Sequence, residues 1–225
     1  MKPFSLHILT THKNKDRHKN ILDTYLNGFD DYVFYTDIKT EYGNQISCTD
    51  NDRWNSNCPK MMIELNRIFS EKLYEKYEWF VFVDDDTFVN MGELQTFLRK
   101  AEKSNSVIAD WGLLPDGSSQ QRVCGGCGFI INSRLFEQNK EQVIDVSFCN
   151  SKKFNASGRG PAADLYFSWW LYTLEKEPNR IQCDLLNHNT PDKVEKTDPE
   201  VMKKQLTFHY ITTLDQIKNI MDTIS

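Results

Sequence analysis

The sequence predicts an α/β fold, a mostly parallel central sheet with helices on both faces. Three observations carry that expectation. Strand-like apolar runs alternate along the chain with segments whose apolar residues recur at helical spacing, the pattern of strands joined by crossover helices. Trp79-Phe80-Val81-Phe82-Val83 is an unbroken apolar run, as expected of a fully buried strand. That run ends in Asp84-Asp85-Asp86, and ligands of open α/β sheets bind beyond the carboxyl ends of such strands. A length of 225 residues suits one domain with a substantial core. Neither a repeat nor an interdomain linker interrupts it.

The elements follow in order. Phe4 to Leu9 is apolar and β-like, and Asp16 to Leu26 carries Ile21, Leu22, Tyr25 and Leu26 at helical spacing. Tyr32 to Tyr35 reads as a second strand ending at Thr36-Asp37. Residues 38–57 are polar and without period, which implies loop and one short strand. Pro59 suits a first helical position, with Met61, Met62, Leu65, Ile68, Phe69 and Leu73 marking one helix face. After the aspartate strand, Leu94, Phe97 and Leu98 suggest a helix. Val107 to Trp111 and Gly128 to Ile131 are further strands, and Ser133 can cap a helix after the second. Pro161 to Leu174 is helical, Asn187 to Glu200 reads as a long surface loop, and Ile217 to Met221 lies in a terminal helix.

Bulk properties narrow the function classes. Hydrophobic residues make up 39% and charged residues 26% of the chain, as in globular proteins generally. A net charge of −5 argues against a general nucleic-acid partner, which needs a basic footprint. No apolar run approaches the roughly 20 residues that span a bilayer. The first strand begins almost at Met1, which leaves no room for a signal peptide. The expectation is a chain kept in a reducing cytosol, and lumenal only if a leading segment has been trimmed. Cys48, Cys58, Cys124, Cys127, Cys149 and Cys183 do not have the spacing of a compact disulfide scaffold. Cys124-Gly-Gly-Cys127 has the form of a redox or zinc half-site, but no second pair matches it. It reads as a tight glycine turn with incidental thiols. The sequon Asn155-Ala156-Ser157 carries no weight in an asparagine-rich chain.

The triplet sets the chemistry. Three adjacent carboxylates repel one another unless a cation joins them, and an all-oxygen site suits Mg2+ or Mn2+. Such ions hold phosphate oxygens and neutralise charge building on a leaving diphosphate. Lys13, Lys15 and Arg17 follow the first strand, whose loop Thr10-Thr11-His12-Lys13 shares the carboxyl edge. Glycosyl transfer from a nucleotide sugar and phosphoryl transfer both remain open here. The absence of a Walker-type loop counts against the second.

Val83-Asp84-Asp85-Asp86-Thr87-Phe88-Val89-Asn90 resembles the metal-binding signature, a DXD motif, of the fringe-like β-1,3-glycosyltransferases, including the mucin core galactosyltransferases. Five further segments resemble that family in the same order. They are Thr10-Thr11 with Arg17 and Asp23-Thr24-Tyr25, Phe34-Tyr35-Thr36-Asp37, Cys58-Pro59-Lys60-Met61, Gly125-Gly126-Cys127-Gly128-Phe129-Ile130-Ile131-Asn132, and Ala163-Asp164-Leu165. The resemblance implies a single Rossmann-like domain of the nucleotide-diphospho-sugar transferase type, called GT-A. Its nucleotide-sugar-binding half would lie at about 1–110 and its acceptor-binding half at about 111–225.

The resemblance also implies roles. Asp86 would bind the metal, Asp84 support it, and Asp85 face the ribose. Thr11 and Asp37 would face the nucleoside, and Arg17 the diphosphate. Gly125 and Gly126 would form the loop between donor and acceptor. Asp164 would be the general base, and its apolar helix would raise its pKa for that work. A helix-capping aspartate is the plainer reading of the same residue. The family supplies one histidine to the metal. His209, in Phe208-His209-Tyr210-Ile211, resembles the mucin core enzymes residue by residue, whereas His188 lies where the fringe enzymes carry theirs. His209 is the preferred ligand. Two departures stand out. Ala163 replaces the acidic residue that usually precedes the base, and the anchor and stem of secretory members are missing. Cys48 and Cys58 resemble a family disulfide pair in placement, yet a cytosol would keep them as thiols.

The resulting expectation is a metal-dependent, inverting, hexosyltransferase-like glycosyltransferase. It would move a sugar from a UDP-linked donor, with Mn2+ or Mg2+, to a hydroxyl of a glycan or glycoconjugate. The alternatives are a non-catalytic glycan or nucleotide-sugar binding module and, last, a phosphotransferase. Acceptor choice would rest on loops such as Gly112 to Gln121 and Cys149 to Gly160.

Overall fold

The computed structural model describes residues 1–49, 57–113, 119–142, 144, 162–187 and 197–225. The strands are β1 (Lys2–Leu9), β2 (Tyr32–Thr36), β3 (Gln45–Ser47), β4 (Tyr77–Asp84), β5 (Phe88–Val89), β6 (Ser106–Ala109), β7 (Trp111–Leu113), β8 (Gln121–Val123), β9 (Phe129–Asn132), β10 (Asn179–Gln182), β11 (Leu186–Asn187) and β12 (Thr207–Phe208). The helices are α1 (Lys15–Asp23), α2 (Asn57–Ser70), α3 (Met91–Lys100), α4 (Ser133–Gln138), α5 (Ala163–Leu171), α6 (Pro199–Lys204) and α7 (Leu214–Ile224).

Among the described residues, seven strands form the central sheet in the order β10-β6-β9-β4-β1-β2-β3. The pairs β1–β2, β1–β4, β2–β3 and β6–β10 are parallel, and only β9 runs against its neighbours β4 and β6. This is the α/β fold with a mostly parallel sheet. Alternation along β4 explains the helices on both faces. Trp79, Val81 and Val83 pack into one apolar cluster with Ile21 of α1, Leu94 of α3, Met202 of α6 and Ile217 of α7. Phe80 and Phe82 enter the other, with Met61 and Leu65 of α2, Phe136 of α4 and Trp170 of α5. A strand covered on both faces has no polar side to show, so it reads as a continuous apolar run.

Three details position the site. Parallel β1 and β4 end in register, Leu9 opposite Asp84, so the loops that follow both leave the sheet at one edge. The reversed β9 enters at that edge, with Phe129 opposite Phe82. Phe82 and Phe129 stack at 4.9 Å and Phe129 and Phe167 at 4.3 Å, an aromatic column that seats α5 on the sheet. A small second sheet, β11-β12-β5, pairs β12 antiparallel to β5 just beyond the aspartate triplet.

Several expectations need correction. The cap of α4 is Asn132, whose side chain accepts from the Arg134 N–H, while Ser133 is the first helical residue. Asn132 wins because its extended backbone aims its amide oxygen at the free amides of the first turn. The Val107–Trp111 strand is two strands that part at Asp110, where the chain leaves the central sheet to pair β7 with β8. The Asn187–Glu200 loop begins in β11 and ends in α6, which Pro199 starts and Asp198 caps. The helix expected over Pro161–Leu174 spans Ala163–Leu171, and α1 stops at Asp23. Cys58 is disulfide-bonded, whereas Cys48 is a free thiol, so those two do not pair. No helix among the described residues is long and apolar enough to cross a membrane.

Candidate active site

At the shared carboxyl edge lies a cleft of about 560 Å3. Thr11, Asp84, Asp85, Asp86, Gly125, Gly126, Asp164 and His209 all line it. Arg17 and Asp37 do not. His188, the sequon and the loop from Cys149 to Gly160 lie outside the described residues.

The triplet splits three ways. Asp84 closes β4, and burial pushes its carboxyl well above the usual range. The charges of Asp86, Asp85 and Asp164 push it further, while Lys60 opposes them. Asp85 folds back under the loop after β1. It accepts from Thr10 Oγ1 at 2.5 Å, Asn14 Nδ2 at 2.7 Å and Arg17 Nη1 at 2.8 Å. Arg17 is thereby turned toward the protein. Asp86 points at His209, with Oδ1 3.3 Å from Nε2.

His209 arrives because β12 ends one residue earlier. Pairing of Phe208 with Phe88 puts the next residue beside the triplet, and the Ile211 N–H bonds back to the Asp86 carbonyl at 2.7 Å. Tyr210 holds a left-handed φ of 62°, rare for a bulky residue, and its ring stacks on the imidazole at 3.8 Å. Ligand atoms of Asp84, Asp86 and His209 all lie within 4.8 Å of one another. Two carboxylates and an imidazole are a fit set for Mn2+ or Mg2+, and the repulsion at Asp84 is what a cation relieves.

Asp164 is the second residue of α5, and Ala162 is the N-cap, so Asp164 is not the cap. Its Oδ1 accepts the Leu165 N–H at 2.9 Å, and Arg122 Nη1 donates to Oδ2 at 3.2 Å. Burial raises its pKa, while the Arg122 charge and the N–H groups of Leu165 and Gly125 pull it back. The glycine pair is the wall between base and histidine. A Cβ on Gly125 would lie 2.7 Å from Asp164 Cβ, and one on Gly126 would lie 2.1 Å from His209 Cε1. Only glycine permits both approaches.

Asp37 lies in a neighbouring groove with Ile38, Lys39 and Ser47. Burial opposes its ionisation. The His12 N–H at 2.8 Å, the His12 ring at 2.6 Å and the Thr36 hydroxyl at 3.0 Å outweigh it and hold the carboxyl well below the usual range. Sequence reasoning gave no role to Arg122, Lys60 or His12. Lys60 is 1% exposed and donates Nζ to the Thr10 carbonyl at 2.6 Å, placing a buried cation beside the acidic edge. Its only local signal is a lysine at the start of an apolar helix. Arg122, on a three-residue strand, has none.

A family model described as Fringe-like matches residues 4–111. No curated protein sequence matches the chain. Among solved structures, a glycosyltransferase involved in the glycosylation of the major capsid of PBCV-1 shares 16% identity over 96% of this chain and 99% of its own, with a TM-score of 0.49. The glycosyltransferase GlyE of Streptococcus pneumoniae TIGR4 shares 12% identity over 93% of this chain, with a TM-score of 0.52. Its apo form shares 13% over 94%, also at 0.52. The chain spans 55% of each GlyE chain, and at these identities the likeness is one of fold.

Proposed function

From the Fringe-like domain at residues 4–111, carried on a fold shared with glycosyltransferases, we propose that this chain is a metal-dependent, inverting glycosyltransferase. Its donor is a UDP-linked sugar and its acceptor a hydroxyl of a glycan or glycoconjugate. One observation supports the reading above others: two adjacent glycines hold a half-buried carboxyl, Asp164, on one side and the Asp84–Asp86–His209 set on the other. An inverting transfer needs that separation of a base from the group that receives the leaving diphosphate.

Asp84, Asp86 and His209 would hold Mn2+ or Mg2+, which when bound supplies positive charge for the leaving diphosphate. Asp164 takes the proton of the acceptor hydroxyl as its oxygen bonds to the anomeric carbon and the bond to the diphosphate oxygen breaks. Arg122 keeps the Asp164 carboxylate turned toward the cleft. Asp85 and Arg17 act together as the brace that shapes the loop after β1, and Thr11 and Asp37 flank the nucleoside side.

Asp164→Asn should lower sugar transfer by about 10^2- to 10^4-fold and leave donor affinity unchanged. Transfer assays and donor titrations with Mn2+ read both numbers. Near-normal transfer in the variant would remove Asp164 from the role of base. If the unaltered chain releases no UDP from UDP-sugars with Mn2+ and acceptor, the fold serves as a binding module.

A further inference from the structure

Cys124 and Cys127 flank the glycine pair, and neither thiol takes part in the chemistry above. Neither is in a disulfide. Asp110, the residue after β6, reaches the same place, and one ligand atom from each of the three lies within 4.8 Å of the others. The backbone accounts for the meeting. The Cys124 N–H donates to the Asp110 carbonyl at 2.8 Å, and the Gly128 N–H closes the turn on the Gly125 carbonyl at 2.8 Å. The Thr207 hydroxyl fixes the Cys127 carbonyl at 2.6 Å. The Asp110 side chain is oriented as well, since Gln182 Nε2 donates to Oδ1 at 3.0 Å. A ligating carboxylate held by an outer amide is how proteins aim the donors of a bound metal.

We propose that Asp110, Cys124 and Cys127 form a second cation site, for a thiophilic divalent ion such as Zn2+. It differs in chemistry from the carboxylate and imidazole set at Asp84, Asp86 and His209. Two thiolates and a carboxylate select Zn2+ over Mg2+ or Mn2+. Bond lengths of about 2.3 Å to sulfur give a tetrahedron with edges of about 3.8 Å, so the ligand atoms close by about an ångström at most. Asp110 and Cys124 are half-buried, which leaves an entry path and a fourth position for water, while Cys127 is fully enclosed. Binding forms two S–Zn bonds and one O–Zn bond, and the two thiol protons leave to solvent. The ion would pin the Gly125–Gly126 turn to the end of β6. The third ligand comes from a distant strand end, so a search for a second Cys pair passes over the site.

Cobalt(II) is the probe. It is titrated into the full chain, its Cys58 disulfide intact and Cys124 and Cys127 as thiols, with Mn2+ already saturating. One equivalent should give the visible bands of tetrahedral Co2+ and a near-ultraviolet sulfur-to-metal charge-transfer band, both removed by Zn2+. Cys124→Ser and Cys127→Ala should each abolish the charge-transfer band, and Gln182→Ala should weaken Co2+ by about 10- to 100-fold. Asp86→Ala should leave the band in place. Cys124 is half-buried, so its serine variant tests the site even if Cys127→Ala does not fold. No charge-transfer band, a band that survives in the Cys124→Ser chain, or oxidation of the pair to a disulfide without metal uptake would each overturn the assignment.

Discussion

His7 on β1 and Glu64 on α2 are both fully buried, with Nδ1 and Oε1 3.0 Å apart but without the alignment of a hydrogen bond. Burial, with the charge of Arg67, lowers the His7 pKa from 6.5 to about 3. Burial, with the charge of Asp84, raises Glu64 well above 4.5. Below pH 4.5 the unfolded chain holds a proton at both positions and the folded chain only at Glu64. Stability therefore falls as pH drops toward about 3. From 4.5 up to its raised value in the folded chain, Glu64 keeps a proton that the unfolded chain has lost, so its contribution falls as pH rises, against the gain from His7 that ends at 6.5. Each slope is about 1.4 kcal/mol per pH unit at most. Denaturant melts over a pH series should show Glu64→Gln flattening the alkaline fall and His7→Phe the acid one. An alkaline slope untouched by Glu64→Gln would mean that Glu64 ionises in the folded chain. Residue chemistry of this kind is half legible in sequence. Asp84-Asp85-Asp86 announces itself by its charge, but the turning of Asp85 toward Arg17, Asn14 and Thr10 depends on where a neighbouring loop runs.

The turn from Cys124 to Gly128 does for the cleft what a side chain cannot. Gly126→Ala places a methyl group where His209 Cε1 now lies, 2.1 Å away, so the imidazole must swing off the Asp84–Asp86 set. Mn2+ affinity should fall by about 10- to 100-fold, the range seen when ligand orientation is lost. The far-ultraviolet circular dichroism should stay unchanged, because the turn is outside the strands. Unaltered Mn2+ affinity, measured calorimetrically, would show that His209 is not a ligand. Long elements were readable because their periods repeat. The apolar face of α2 and the run in β4 each extend over several residues. β5, β11 and β12 hold two residues each, too few for any period. Yet β12 is the element that delivers His209, and flank-by-flank resemblance, rather than periodicity, singled that histidine out. The antiparallel entry of β9 was equally hidden, since a strand's direction leaves no mark on its composition.

For the molecule as a whole, donor and metal together should act as a stabiliser. A UDP-sugar with Mn2+ at 100 times its dissociation constant adds about 2.7 kcal/mol, or roughly 5–10 °C of melting temperature in a chain this size. UDP-sugar without the ion should add far less, and chelator should reverse the gain. Equal shifts with and without Mn2+ would separate donor binding from the Asp84–Asp86–His209 set. The α/β class was legible because alternation of strand and helix is a property of the entire chain. The assembled cleft was not, because its walls come from the ends of β1, β4, α5 and β12. That last strand has a temporal meaning. Asp86 emerges in the middle of the chain and His209 near its end, and they meet only once β12 has paired with β5. A ribosome-bound chain that stops short of residue 207 carries the sequence of β1, β2 and β4 but lacks His209. On the proposed function, metal-dependent transfer would be an assay of finished folding, silent until the final strand is in place.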